Sequence, residues 1–165
     1  MKRRLILLRH GKSDWHAGAA TDHARPLNPR GRRDAPRVAA ELVARKWVPS
    51  HVWSSDAART RETYMLMAPS FNPSPEAVFD NALYLGDLEA IRKRLSSVGD
   101  ECTTAMLVGH NPGWEEAASI LSGRDVSMTT CNAVLLSIKA ARWSEALAMD
   151  DSWKLVEHIQ PRRLK

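Results

Sequence analysis

Apolar residues in this chain fall into short unbroken runs separated by longer amphipathic stretches. Leu5–Leu8 and Thr104–Val108 are continuous enough to be strands buried on both faces, and His51–Ser54 is a shorter strand between them. Ala77–Phe79 is a weak strand; Ala133–Ile138 and Trp153–Ile159 read as antiparallel neighbours at a sheet edge. Between the strands the spacing turns helical. Val38, Ala39, Leu42 and Val43 form the stripe of a helix capped by Asn28, opened by Pro29 and running to Lys46. Pro36 inside it predicts either a kink or a true start near Asp34. Ser55 or Asp56 caps a helix over 57–68, with Tyr64, Met65 and Leu66 as core candidates. Asp87 to Ser96 follows, with Leu88, Ile91 and Leu95 on one face. Asn111 and Pro112 open a last helix through Ala117, Ile120 and Leu121. Strands alternating with helices predict an α/β three-layer sandwich, a central and mostly parallel sheet flanked by helices, with residues 1–165 as one domain.

One segment resists the pattern. Asp14 to Pro26 has no periodicity, and a loop of that length inside a compact domain tends to be functional. Composition narrows the class further. The 165 residues are 44% hydrophobic and 26% charged, as in an ordinary soluble domain. A net charge of +5 admits anionic partners, but much of the excess lies at the two ends (Lys2-Arg3-Arg4, Arg162-Arg163-Lys165), the distribution of solvated tails rather than a nucleic-acid groove. Cys102 and Cys131 lack metal or redox spacing and read as reduced thiols. No apolar run approaches the ~18 residues of a membrane span, and the first is too short for a signal peptide. The expectation is a cytoplasmic monomer without nucleic-acid or membrane partners.

The candidate chemistry lies where the buried strands stop. One ends in Arg9-His10-Gly11 and another in Gly109-His110-Asn111. Either could be a surface pair closing a core strand. Ligands of open α/β sheets, however, bind at the carboxyl ends of strands, so two histidines there would meet over one cleft. Arg9 can hold two phosphate oxygens, neutral His10 can act as a nucleophile, and Gly11 lets the backbone approach a ligand. Helix starts after each strand would offer free N–H groups to an anion. Arg59, in the first turn of a third helix, points to the same rim.

Leu7-Leu8-Arg9-His10-Gly11-Lys12-Ser13 resembles the Arg-His-Gly signature of the histidine phosphatase (phosphoglycerate mutase-like) superfamily. Arg25-Pro26-Leu27, Ser55-Asp56-Ala57-Ala58-Arg59 with Thr63, and Val108-Gly109-His110-Asn111-Pro112 are similar to its further motifs, in the same order. Lys12-Ser13, the Leu83-Tyr84 pair and the short length look most similar to the SixA branch of phosphohistidine phosphatases. The resemblance implies a phosphatase working through a phosphohistidine intermediate, without metal or cofactor. In it His10 would be the nucleophile, its second ring nitrogen donating to a carbonyl or carboxylate, and Arg9 and Arg59 would hold the equatorial oxygens. His110 would donate a further hydrogen bond. Gly11, Arg25 and Asn111 would complete the phosphate contacts, Arg25 from the loop. Phosphorylated proteins or small phosphorylated molecules are the implied partners.

The sequence departs from the superfamily at one point. The glutamate that phosphomonoesterases and mutases use as general acid has no located equivalent; Asp87 and Glu89 lie in the approximate region and read as capping or solvated residues. Imidazole leaves as a far weaker base than an alkoxide, so this favours protein phosphohistidine as substrate. The alternatives are a small-molecule phosphomonoesterase and a phosphate- or phosphoprotein-binding module without turnover. Elsewhere His51 and His158 read as structural, His16 and His23 as exposed loop residues, and Trp15 and Trp114 as candidate pocket linings.

Overall fold

A computed structural model describes residues 1–164. Its strands are β1 Lys2–Arg9, β2 His51–Ser55, β3 Ala77–Asp80, β4 Thr104–Gly109, β5 Ala133–Lys139 and β6 Lys154–Ile159. They form one sheet in the order β3-β2-β4-β1-β5-β6. Strands β3, β2, β4 and β1 are parallel to one another, while β5 runs antiparallel to both β1 and β6. Side chains alternate across the pleat, so the apolar run of β1 serves two cores. Leu5 and Leu7 pack with Leu107, Trp114 and Trp143 under α3 (Leu88–Leu95), α4 (Gly113–Ser122) and α5 (Trp143–Ala148). Ile6 and Leu8 pack with Val38, Leu42, Tyr64 and Val108 under α1 (Pro29–Ala44) and α2 (Ala58–Met67). The mostly parallel three-layer α/β architecture is the one expected.

Several boundaries differ, each for a local reason. Asn28 caps α1 by accepting from Gly31 N–H at 2.9 Å, and the helix runs from Pro29 through Pro36 rather than starting at Asp34. It stops at Ala44, short of Lys46, which adopts a positive φ of 61°. The α2 cap position is Ala57, but Ser55 Oγ still accepts its N–H at 3.2 Å. Met65 points outward, 65% exposed, because Tyr64 and Met67 already cover that turn's core face. Asn111 does not cap α4. Pro112 occupies the cap position with helical dihedrals, and the Asn111 amide donates to Met128 O at 2.7 Å instead. The helix α5 was not expected, since six residues contributing only Trp143, Ala146 and Leu147 to the core are too few for a periodicity.

Candidate active site

Strand register brings the two histidines together. Arg9 of β1 lies opposite Gly109 of β4, so the next residue of each strand leaves the sheet at the same point. His10 N–H donates to Gly109 O at 3.1 Å, and the imidazole centroids of His10 and His110 stand 5.2 Å apart. A Cβ at Gly109 would run into the Trp114 indole, which is fully buried beneath the strand end and donates to Leu107 O at 3.0 Å. Trp114 therefore supports the floor and does not line a pocket. Thr63 ties α2 to the end of β1: its hydroxyl donates to Arg59 O at 2.7 Å and accepts the Gly11 N–H at 3.0 Å. Gly11 is glycine because a Cβ would press on Gly31 of α1. With its N–H engaged by Thr63, it braces His10 and does not present a donor to an anion.

His10 Nδ1 lies 2.7 Å from Gly11 O, an oxygen that can only accept, so Nδ1 carries the proton and Nε2 keeps its lone pair. Arg59 Nε–H points at that lone pair from 3.3 Å. Burial pushes the His10 pKa down to about 3, helped by His110, Arg59 and Arg9 and opposed by the Gly11 carbonyl. Burial also leads the fall of His110 to about 3, with Arg59 next. Desolvation thus outweighs the neighbouring cations in keeping both rings neutral. Ser55 Oγ stands 2.8 Å from His110 Nε2 and already accepts from Ala57. Donating its own proton there leaves Nδ1 as the N–H of His110, a buried atom without a protein partner.

These directions make a measurable statement. A histidine whose folded pKa lies below its unfolded 6.5 leaves the unfolded chain binding more protons as pH falls through 6.5. Stability should therefore decline from pH 7 toward pH 4.5, seen as a lower urea midpoint. Histidine-selective NMR should show the His10 and His110 rings still neutral at pH 5. Titration of either ring near 6.5 would contradict the burial argument.

The two imidazoles open into a cavity of about 350 Å³, shared with Arg9, Arg25, Arg59 and Asn111. Arg9 donates through Nη1 to Met128 O at 2.9 Å, while its buried Nε has no partner. Arg25 holds Ser13 Oγ with one terminal nitrogen and Asp22 Oδ1 with the other at 2.8 Å, its guanidinium lying 3.6 Å from the centre of the Trp15 ring. Its Nε is likewise buried and unpartnered. Trp15 and Leu85 line the cavity while staying 69% and 59% exposed, which puts them at its rim. Of the expected helix-start donors, Gly31 N–H is engaged by Asn28 and Trp114 N–H by His110 O. Three guanidinium groups facing one space favour an anion there.

The structure thus gathers Arg9, His10, Arg25, Arg59, His110 and Asn111 around one space and leaves Gly11 behind it. Of the other expectations, Asp87 caps α3 by accepting from Ala90 N–H at 3.2 Å, and Glu89 pairs with Arg92. His23 is held by Asp56 at 2.7 Å and lies edge-on to Tyr84. His158 bonds Asn132 at 2.8 Å, and both cysteines are buried thiols. Asp22 was missed, and Tyr84 was read only as part of the family resemblance. Asp22 is the one carboxylate lining the cavity among the described residues, and Tyr84 Oη–H donates to its Oδ2 at 2.5 Å. The only signal for Asp22 was its place in the aperiodic loop. Among the described residues no group of three or more His, Cys, Asp or Glu is arranged to hold a metal, and no helix is long and apolar enough to cross a membrane.

The model of the histidine phosphatase superfamily (branch 1) matches residues 5–84. An uncharacterised chloroplastic protein of Arabidopsis thaliana is 40% identical over 172 aligned positions, covering 98% of this chain and 79% of the relative. The chain belongs to the histidine phosphatase superfamily. The solved structures it resembles include members of the SixA-type branch and a mycobacterial glucosyl-3-phosphoglycerate phosphatase, the latter at a TM-score of 0.68 and 18% identity over 94% of this chain and 98% of that one. A candidate phosphohistidine phosphatase SixA from Agrobacterium tumefaciens superposes with a TM-score of 0.81 at 26% identity, over 96% of this chain and 98% of that one. The protein histidine phosphatase SixA complexed with tungstate shares the fold at a TM-score of 0.82 and 19% identity, over 98% and 99% of the two chains. As a histidine phosphatase by family, the chain is a phosphatase acting on phosphorylated substrates.

Proposed function

We propose that this phosphatase removes phosphate from phosphohistidine in proteins, with His10 as its nucleophile. The observation that carries the reading is the one carboxylate of the cavity. Tyr84, Arg25 and Arg59 hold Asp22 well below the usual carboxylate range. A carboxyl so held has no proton to give at neutral pH, so the site favours a leaving group that needs little help. An imidazole nitrogen fits that description better than a sugar alkoxide.

In the first half-reaction His10 Nε2 attacks phosphorus and the substrate's P–N bond breaks. The substrate ring first takes a proton from water on its free nitrogen, so the bonding pair leaves on a neutral imidazole. Arg9 and Arg59 hold the equatorial oxygens where charge spreads in a loose transition state, and His110 Nδ1–H donates to one of them. Water then attacks the phosphoryl group on His10, returning a neutral imidazole and inorganic phosphate. Ser55 acts through His110, fixing which of its nitrogens bears the proton.

A substrate panel tests the assignment. With chelator present, a phosphohistidine peptide should turn over at least tenfold faster in kcat/KM than phosphoserine peptide or sugar phosphates. Quenching with alkaline detergent, under which a P–N bond survives, should leave label on the enzyme. Faster hydrolysis of sugar phosphates would move the protein to the phosphomonoesterases. Binding without turnover or label would leave only a phosphate-binding module.

A further inference from the structure

Arg59 is not free to receive a phosphoryl group as it stands. Its Nη1 donates to Asp22 O at 2.8 Å, its Nη2 to Asp22 Oδ2 at 3.0 Å, and its Nε faces His10. The second cation of the loop is drawn to the same carboxylate, Arg25 Nη2 reaching Oδ1 at 2.8 Å. Tyr84 adds a hydroxyl donor at 2.5 Å. Asp22 thus has two guanidinium groups and a phenol around one carboxylate, the array that an anion's oxygens would meet. Its side chain is 43% exposed on the cavity side of the loop, whereas Arg59 is 3% exposed and fixed by α2. In any exchange the aspartate moves and the arginine stays.

We propose that Asp22 is a built-in competing anion, which a substrate must displace from Arg59 before its phosphoryl group can be held. The inference rests on the active-site reading above. A terminal phosphoryl group carries close to two negative charges at neutral pH and three acceptor oxygens, against one charge and two oxygens on the carboxylate. It gains by the exchange. A phosphodiester must displace the same carboxylate with a single charge of its own, so Asp22 lowers the affinity of every anion that needs Arg59. Gly18, with a φ of 72° and open space around it, gives the loop a pivot four residues before Asp22. The aspartate's return to Arg59 after hydrolysis also helps to expel inorganic phosphate.

Calorimetric titration with inorganic phosphate tests this without relying on turnover. Asp22→Asn keeps the shape and removes the charge. If the carboxylate holds Arg59 about nine-tenths of the time, apparent phosphate affinity should rise about tenfold, because binding is weakened by the fraction of competent sites. A dialkyl phosphate, the monoanionic probe, should gain affinity by a similar factor, because both anions must displace the same carboxylate. Tyr84→Phe, which withdraws one donor from Asp22 and leaves the charge in place, should raise phosphate affinity by a smaller factor, about twofold to threefold. Unchanged or weaker phosphate binding in folded Asp22→Asn overturns the inference and leaves the phosphatase reading standing. Failure of wild-type protein to bind phosphate at all overturns both. A fall in kcat at unaltered phosphate affinity would make Asp22 part of the chemistry instead, and would also overturn the inference.

Discussion

His10→Ala should lower kcat by about 10⁵-fold and abolish the alkali-stable label, since removing a covalent nucleophile commonly costs that order of rate. The residue sits where three independent constraints meet. Its backbone is fixed by the register of β1 on β4, its Nδ1 by Gly11 O, and its reactive Nε2 by the opening shared with Arg59 and His110. No other group can replace it. His110 Nε2 lies against Ser55, and its Nδ1 bears the proton, so the second imidazole has no lone pair to offer. The fold should survive. Truncation leaves Gly11 O and Arg59 Nε–H without their partner, a loss of about 1–3 kcal/mol next to a cavity that water can enter. Circular dichroism should match wild type, and phosphate should still bind through the arginines. Residual turnover within a hundredfold of wild type would remove His10 from the nucleophile's place.

What could be read from residue order follows from how local each signal was. The Leu5–Leu8 and Thr104–Val108 runs were legible because strands buried on both faces leave no polar alternation, and their ends marked the rim of the cavity directly. That His10 and His110 adjoin needed only the guess that those strands are near neighbours. Asp22 was not legible in this way. Its three donors lie 3, 37 and 62 residues away, and nothing local distinguishes an aspartate that meets them from a solvated one. Ser55 was seen as half of what it is. A cap is a local pattern, while its contact with His110 spans 55 residues and depends on β2 pairing with β4. Gly11 was misread for a related reason: the glycine answers to Gly31 of α1 and does not turn toward a ligand.

Arg59→Ala should reduce kcat/KM by about 10³-fold, the scale on which a positioned cation stabilises a phosphoryl transition state. More of the loss should fall on kcat than on KM. The wild-type arginine must first be released by Asp22, which weakens its contribution to ground-state binding, whereas in the transition state its grip is complete. Arg59→Lys should recover only a small part, because one ammonium cannot meet His10 Nε2 and two phosphoryl oxygens in a fixed fork. The effect should not come through the nucleophile's protonation. Arg59 is one of several influences lowering the His10 pKa, and burial, the largest, remains after its removal. The acid limb of kcat/KM, corrected for substrate ionisation, should therefore stay well below 6.5 in the variant. Recovery of activity at higher pH would show instead that Arg59 works mainly by keeping His10 neutral.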